Sequence, residues 1–230
     1  LLEIKSASKL QDTNKLRLIY SAPGIGKTST IKFLEGKTLV VDIDRTTGVL
    51  KGQENIDIVT ADTMTPFITF PQLLKEINDS YLSNYNNIVI DNISELERSI
   101  LAQLGKEGKN NRVPSMANYQ QMQFMMIDAI RYLKSFGKNI LITAWETSDQ
   151  WQTPEGQIYN RSYPQISNKI LTNAMGLCDV VARLIYDSEE EKRGFILQPT
   201  NAVFAKNQVD SRKGCKQEDL FKIGDIDAKA

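Results

Sequence analysis

Leu16-Arg17-Leu18-Ile19-Tyr20-Ser21-Ala22-Pro23-Gly24-Ile25-Gly26-Lys27-Thr28 is the stretch on which the reading of this chain turns. Residues 16–20 are mostly large and apolar and read as a buried strand. The turn after them holds two glycines, and Lys-Thr then opens a helix expected to reach about Leu34. Such a turn lets backbone N–H groups point inward around an anion, and the helix N-terminus adds partial positive charge. Ser21, Ala22, Pro23, Gly24, Ile25, Gly26, Lys27, Thr28 and Ser29 are therefore the candidate phosphate cradle. Lys27 is placed to reach the β- and γ-phosphates of ATP, and Thr28 to offer a hydroxyl to Mg²⁺, a hard cation that takes oxygen ligands. Ser21 stands where the usual pattern has glycine, and serine is tolerated there if the turn does not need φ > 0.

Outward from this motif, short apolar runs at 38–41, 87–90 and 139–143 alternate with helical patterns near 71–85, 93–104 and 118–136. The expected fold class is α/β, a mainly parallel twisted sheet flanked by helices. Met122, Met125, Met126, Ala129, Ile130 and Leu133 recur at helical spacing and read as core. Beyond residue 164 a helix at 165–177 and strands at 179–186, 194–198 and 202–205 read as antiparallel additions to the sheet. The polar segments 105–117 and 147–164 fit no element and are longer than bare connections need. The chain is expected to form one domain, with an N-terminal extension at 1–15, a core at 16–208 and a C-terminal tail at 209–230.

Two strands end in acids. Asn87-Ile88-Val89-Ile90-Asp91 would hold a carboxylate rigidly beside the glycine turn, where Asp91 orders the Mg²⁺ shell, directly or through water, or orients Thr28. Its structural alternative is a helix N-cap for the segment opening at Asn92. Val40-Val41-Asp42-Ile43-Asp44 makes Asp44 the candidate base that polarises an attacking water, with Asp42 behind it. The alternative there is a turn former ahead of 45–48.

Composition narrows the chemistry. The 230 residues contain no histidine, which closes His-based triads, His proton relays and the common His-containing zinc sites. Two cysteines, Cys178 and Cys215, are too few for a disulfide scaffold and read as ordinary thiols of a reducing compartment. Lys+Arg and Asp+Glu balance at 28 each, so attraction to nucleic acid must come from local basic patches. No apolar run nears the ~20 residues of a membrane span, and 1–15 lacks the order of a signal peptide, so a soluble cytoplasmic protein is expected.

The order of these parts resembles a RecA-like P-loop ATPase core, in particular the phage RecA-like nucleotide-binding proteins of the single-strand annealing (recombinase) type. The resemblance spans residues 16–208. It rests on the turn at 21–28, the acid-tipped strands at 40–44 and 87–91, and the Met-rich helix leading into Ile140-Leu141-Ile142-Thr143-Ala144-Trp145-Glu146. It implies that Asp44 occupies the place of a catalytic glutamate, one methylene shorter. It also implies that Trp145 stands where the family carries a γ-phosphate-sensing glutamine. Family topology makes 105–117 and 147–164 the DNA loops. Lys106, Lys109 and Arg112 against Glu107 give the first a basic face for phosphates, and Trp151, Tyr159 and Tyr163 beside Arg161 give the second π-faces and a cation for unpaired bases. Lys206, in Ala205-Lys206-Asn207-Gln208, matches a residue that such assemblies send to a neighbour's nucleotide, and Gln208 stands where a second basic residue is expected.

The resemblance thus implies an ATP- and Mg²⁺-dependent, DNA-stimulated ATPase that assembles as a filament or ring on single-stranded DNA. Its expected role is annealing or strand exchange in phage recombination, in the host cytoplasm, with a single-strand-binding protein as a plausible neighbour. Two rivals remain. A nucleoside or nucleotide kinase shares the P-loop but usually needs a lid with several arginines, and the long loops here offer Arg112 and Arg161. A nucleotide-gated interaction protein with little turnover would suit the shorter acid and the tryptophan at the sensor place.

Overall fold

The computed structural model describes Ser6 and residues 14–222. The first strand, β1 (Leu16–Ser21), is buried along its whole length. It leads through the glycine turn into a short helix, α1 (Lys27–Thr30), which tightens into a 3₁₀ turn at Ile31–Phe33. Next come β2 (Thr38–Asp42), β3 (Ile56–Thr60), α2 (Pro66–Glu76) and β4 (Asn87–Asp91). They are followed by α3 (Ile93–Glu107), α4 (Met116–Ser135), β5 (Asn139–Gln152) and β6 (Ile158–Pro164). The chain closes with α5 (Asn168–Leu177), β7 (Val180–Asp187), β8 (Lys192–Ile196), β9 (Lys206–Asn207) and β10 (Gly214–Lys216).

The sheet runs β10-β8-β7-β1-β5-β4-β2-β3. From β7 to β3 every pairing is parallel, while β8, β9 and β10 are added antiparallel beyond β1. The expected α/β architecture with antiparallel C-terminal strands is what forms. Central strands built from Leu18-Ile19, Val40-Val41, Ile88-Val89-Ile90 and Ile140-Leu141-Ile142 are apolar on both sides because helices cover both faces. One face packs on α2, α3, α4 and α5 through Phe70, Leu74, Leu96, Ile100, Met122 and Met126. The other packs on the α1 side through Ile31, Leu34, Leu50 and Leu220. The methionine stripe is core at Met122 and Met126, and Met125 lies at its margin.

Several local expectations change. Segment 147–164 is mostly strand: β5 runs on to Gln152 and pairs antiparallel with β6, Asp149 opposite Arg161 and Trp151 opposite Tyr159. Apart from its base, where Ser162, Tyr163 and Pro164 are buried, this ribbon is polar or half-exposed, so it lacks the apolar run that marks a strand in a hydropathy pattern. Segment 105–117 is split between the end of α3 and the start of α4, where Ser115 and Asn118 form a capping box. The helix expected from residue 71 starts five residues earlier, with Pro66 in its first turn, and carries Pro71 inside it. The strand expected at 202–205 is reduced to isolated bridges at Val203. Edge strand β3 and the three-residue β10 are additions to the expected set of strands. Within the stretch expected as a tail, β10 pairs with β8, and Gln217 and Leu220 are buried. Most of the N-terminal extension, and residues 223–230, lie outside the described residues.

Candidate functional site

The cleft forms at the carboxyl ends of the parallel strands, where open α/β sheets bind ligands. Its volume is about 240 Å³, and Gly24, Lys27, Thr28, Asp44, Asp91 and Trp145 are among the residues that line it. Gly24 and Gly26 have φ of 82° and 117°, backbone that a side chain would strain. Those two glycines let the turn leave β1 and re-enter as α1 with its N–H groups free. Ala22, Pro23, Ile25 and Ser29 complete the turn, and Ser21 is fully buried at the strand end.

Lys27 is only 8% exposed. Its Nζ donates to Ser21 O at 3.0 Å, Ser21 Oγ at 3.3 Å and Ala22 O at 3.2 Å. All three acceptors are neutral. Burial lowers the lysine's pKa, against the opposing pull of the Asp91, Asp44 and Glu146 carboxylates. A buried ammonium held only by neutral oxygens beside an αL glycine turn is chemically suited to a polyphosphate.

Asp91 is 1% exposed. Thr28 Oγ1 donates to its Oδ2 at 2.7 Å, and Thr143 Oγ1 donates to its Oδ1. Burial raises its pKa, the two hydroxyl bonds lower it, and the nearby Asp44 and Asp42 raise it further. The α3 N-cap is Asn92, whose Oδ1 accepts from Glu95 N at 2.8 Å, so Asp91 does not serve as the cap. A buried carboxylate joined to the Thr28 hydroxyl is the donor set that Mg²⁺ on a phosphate requires. The residues present therefore fit the polyphosphate of a nucleotide together with Mg²⁺.

Asp44 faces the same cleft, half-exposed. It accepts from Thr46 Oγ1 at 2.6 Å and from the Asn92 side chain. Asn92 thus ties the α3 cap to Asp44, a link that sequence reasoning missed. Asp42 lies one strand over from Asp91 in register. It is 4% exposed; Thr47 donates to its Oδ2 at 2.6 Å, while its Oδ1 has no partner. Trp145 sits opposite Ser21 on β5, with its backbone N–H on Ser94 Oγ at 2.9 Å and the Arg98 guanidinium 5.5 Å from its ring centroid. Next to it, Glu146 accepts two bonds from Arg183, at 3.0 and 2.8 Å.

The remaining candidates are spread more widely. Lys106, Lys109 and Arg112 are exposed around the end of α3. That end lies near the start of α2, because Gln103 Oε1 accepts from Phe67 N at 2.8 Å. On the β5–β6 hairpin, the Trp151 and Tyr159 rings are 6.4 Å apart, and the Arg161 guanidinium lies 5.5 Å from the Trp151 centroid and 4.8 Å from that of Phe204. Tyr163 is 6% exposed and belongs to the core, so its ring does not face outward with them. Lys206 Nζ donates to Gly176 O at 3.0 Å and Cys178 O at 2.6 Å, and lies 3.4 Å from Met175 O, at the C-terminal end of α5. In this conformation it complements that helix end, where a cation is favoured. Behind the glycine turn, Tyr20 Oη donates to Phe204 O at 2.6 Å and lies 3.1 Å from Ser162 O, joining β1 to the hairpin's base.

A glycine turn feeding a helix, a buried acid on its threonine, and a mostly parallel sheet beneath define a P-loop nucleotide-binding core. The chain belongs to the AAA domain family, which matches residues 13–209. No curated protein matches it. Among solved structures it is similar to the crystal structure of the RadB recombinase, with TM-score 0.46 and 13% identity over 79% of each chain. No helix among the described residues is long and apolar enough to cross a membrane.

Proposed function

We propose that this AAA domain is a Mg²⁺-dependent ATPase of the RecA-like type that assembles as a filament or ring on single-stranded DNA and promotes annealing or strand exchange. The observation that carries the nucleotide reading is the pairing of Lys27, buried among neutral acceptors, with the Thr28–Asp91–Thr143 chain at the mouth of the same turn. Lys27 and the backbone of 22–29 would hold the phosphates. Thr28 and Asp91 would hold Mg²⁺, which supplies charge neutralisation at the transferring phosphate. Asp44 orients a water, and Asn92 and Thr46 fix its carboxylate for that task.

The hairpin supports the DNA part of the reading, since Trp151 and Tyr159 with Arg161 supply stacking faces and a cation for unpaired bases. Lys106, Lys109 and Arg112 add a sequence-independent pull on phosphates. Phage recombination in a host cytoplasm, beside a single-strand-binding protein, is the setting this activity suits. Lys206 acts on a neighbour's nucleotide only after leaving the end of α5. A nucleotide-gated switch with little turnover has one observation in its favour, the tryptophan in place of a polar sensor at Trp145.

The deciding experiment measures phosphate release with and without single-stranded oligonucleotide, over a range of protein concentration and salt, on wild type and Lys27→Ala. Turnover that rises with DNA and with protein concentration, falls with salt and vanishes in the variant supports the reading. Turnover indifferent to DNA and concentration removes the assembly part, and tight binding without hydrolysis selects the switch.

A further inference from the structure

The glycine turn is gripped from outside by two residues far away in sequence. Arg193, exposed on β8, donates from Nε to Ile25 O at 2.7 Å, across 168 positions of chain. Gln217, buried in the 3₁₀ turn at Gln217–Asp219, donates from Nε2 to Gly26 O at 3.0 Å and to Thr30 Oγ1 at 2.8 Å. Nothing in the phosphate chemistry assigned to residues 21–29 uses either side chain. Both come from the antiparallel additions, whose β10 is held on β8 through Cys215 opposite Phe195.

Their effect follows from peptide geometry. In a trans peptide the C=O of one residue and the N–H of the next point in opposite directions. A donor that holds Ile25 O outward therefore aims the Gly26 N–H inward. Gly26 O, which also accepts from Thr30 N at 3.1 Å and Thr30 Oγ1 at 3.2 Å, is held by Gln217 together with that first turn of α1, and this aims the Lys27 N–H inward. Those amides lie at the bend of the turn, where φ at Gly26 is 117° and a glycine has the greatest freedom to rotate. The fit is close, since a Cβ on Gly26 would lie 3.1 Å from Arg193 Nε and 3.5 Å from Gln217 Nε2.

We infer that Arg193 and Gln217 are positioning residues that preset the anion-binding amides of the glycine turn, so that the C-terminal strands set the affinity of the site for phosphate. This rests on the nucleotide reading above. Such presetting removes an ordering cost that binding would otherwise bear. It also makes the β8–β10 edge a place where a contact or displacement changes phosphate affinity without touching the cleft.

The test is calorimetric titration of the full chain with Mg²⁺-ATP and with Mg²⁺-tripolyphosphate, on wild type, Gln217→Ala and Arg193→Lys, with melting followed in parallel. Gln217→Ala changes no charge, and Arg193→Lys keeps the charge while losing the planar donor. The expected result is a roughly tenfold loss for both ligands, equal within error, with each variant melting close to wild type. Should Gln217→Ala not fold, Arg193→Ala, at an exposed position, takes its place. Unchanged tripolyphosphate affinity overturns the inference, as does a loss confined to ATP, which would make these side chains base or ribose contacts. A wild type that binds neither ligand overturns the nucleotide reading itself, and so is distinct from failure of the inference alone.

Discussion

The glycine-turn cleft and the β5–β6 hairpin lie at the same end of the sheet and are built on opposite principles. In the cleft nearly every buried polar atom has a partner: Lys27 has three acceptors, Asp91 has two hydroxyl donors, and Asp44 has two donors. In the hairpin Arg161 Nε and Asp149 Oδ1 are buried with no partner, their side chains meet only at 3.7 Å, and two aromatic rings stand half-exposed. The first region is organised before any ligand arrives. The second keeps polar capacity in reserve. A network satisfied in advance gives electrostatic preorganisation, and an unsatisfied one leaves interactions to be made on binding.

This contrast is most directly broken at Lys27. Lys27→Ala is expected to weaken binding of a fluorescent ATP analogue by about 100-fold or more, because the buried cation has no substitute in the turn. A loss under tenfold would mean that the cradle works mainly through its amides. Next in size, Trp151→Ala and Arg161→Ala should each weaken single-stranded oligonucleotide binding by about tenfold in an anisotropy titration and leave ATP affinity unchanged. Equal effects on both ligands would mean that the two regions form one site.

Asp91→Asn sharpens the comparison through stability. The folded-state pKa of Asp91 is raised above the ordinary 3.8, so the native state binds the proton more tightly than the unfolded chain. The associated stability is complete in acid and is lost as pH rises through the raised value. Nucleotide-free Asp91→Asn should therefore melt higher than wild type at neutral pH, by about 2–4 °C for each kcal/mol relieved, with the gain shrinking as pH falls toward 3.8. Turnover should meanwhile fall by about two orders of magnitude. The smallest effect is expected from Lys206→Ala, which removes a cation from the end of α5 and should cost about 1 kcal/mol in a denaturant melt. A concentration-dependent loss of ATPase in a variant with unchanged stability would instead place Lys206 at a subunit boundary.

The glycine turn and acid-tipped strands were readable in the sequence because their chemistry is local, a fixed spacing set between a strand and a helix. The same holds for the alternation that gave the parallel sheet. Arg193 and Gln217 gave no such signal, since the carbonyls they hold lie 168 and 191 positions away and neither residue belongs to a spaced pattern. The hairpin was hidden for another reason: Glu146 to Gln152 alternates among polar residues, so a two-residue period exists without the hydrophobic contrast that exposes it. Lys206 shows a third limit. A sequence places a lysine on a strand but not its four-carbon stem, and here the stem turns toward three carbonyls at a helix end.

Tyr20 gives the two unlike regions a mechanical relation. Burial raises the pKa of its phenol, which stays a donor across the ordinary pH range, and its oxygen rests on the backbone of β6 at Ser162 and of the segment before β9 at Phe204. Its neighbour along the chain is Ser21, whose carbonyl receives Lys27. A sideways displacement of the hairpin would therefore tug on a tether one residue upstream of the carbonyl that receives the lysine, and the pull would cross the molecule in a single ring's width.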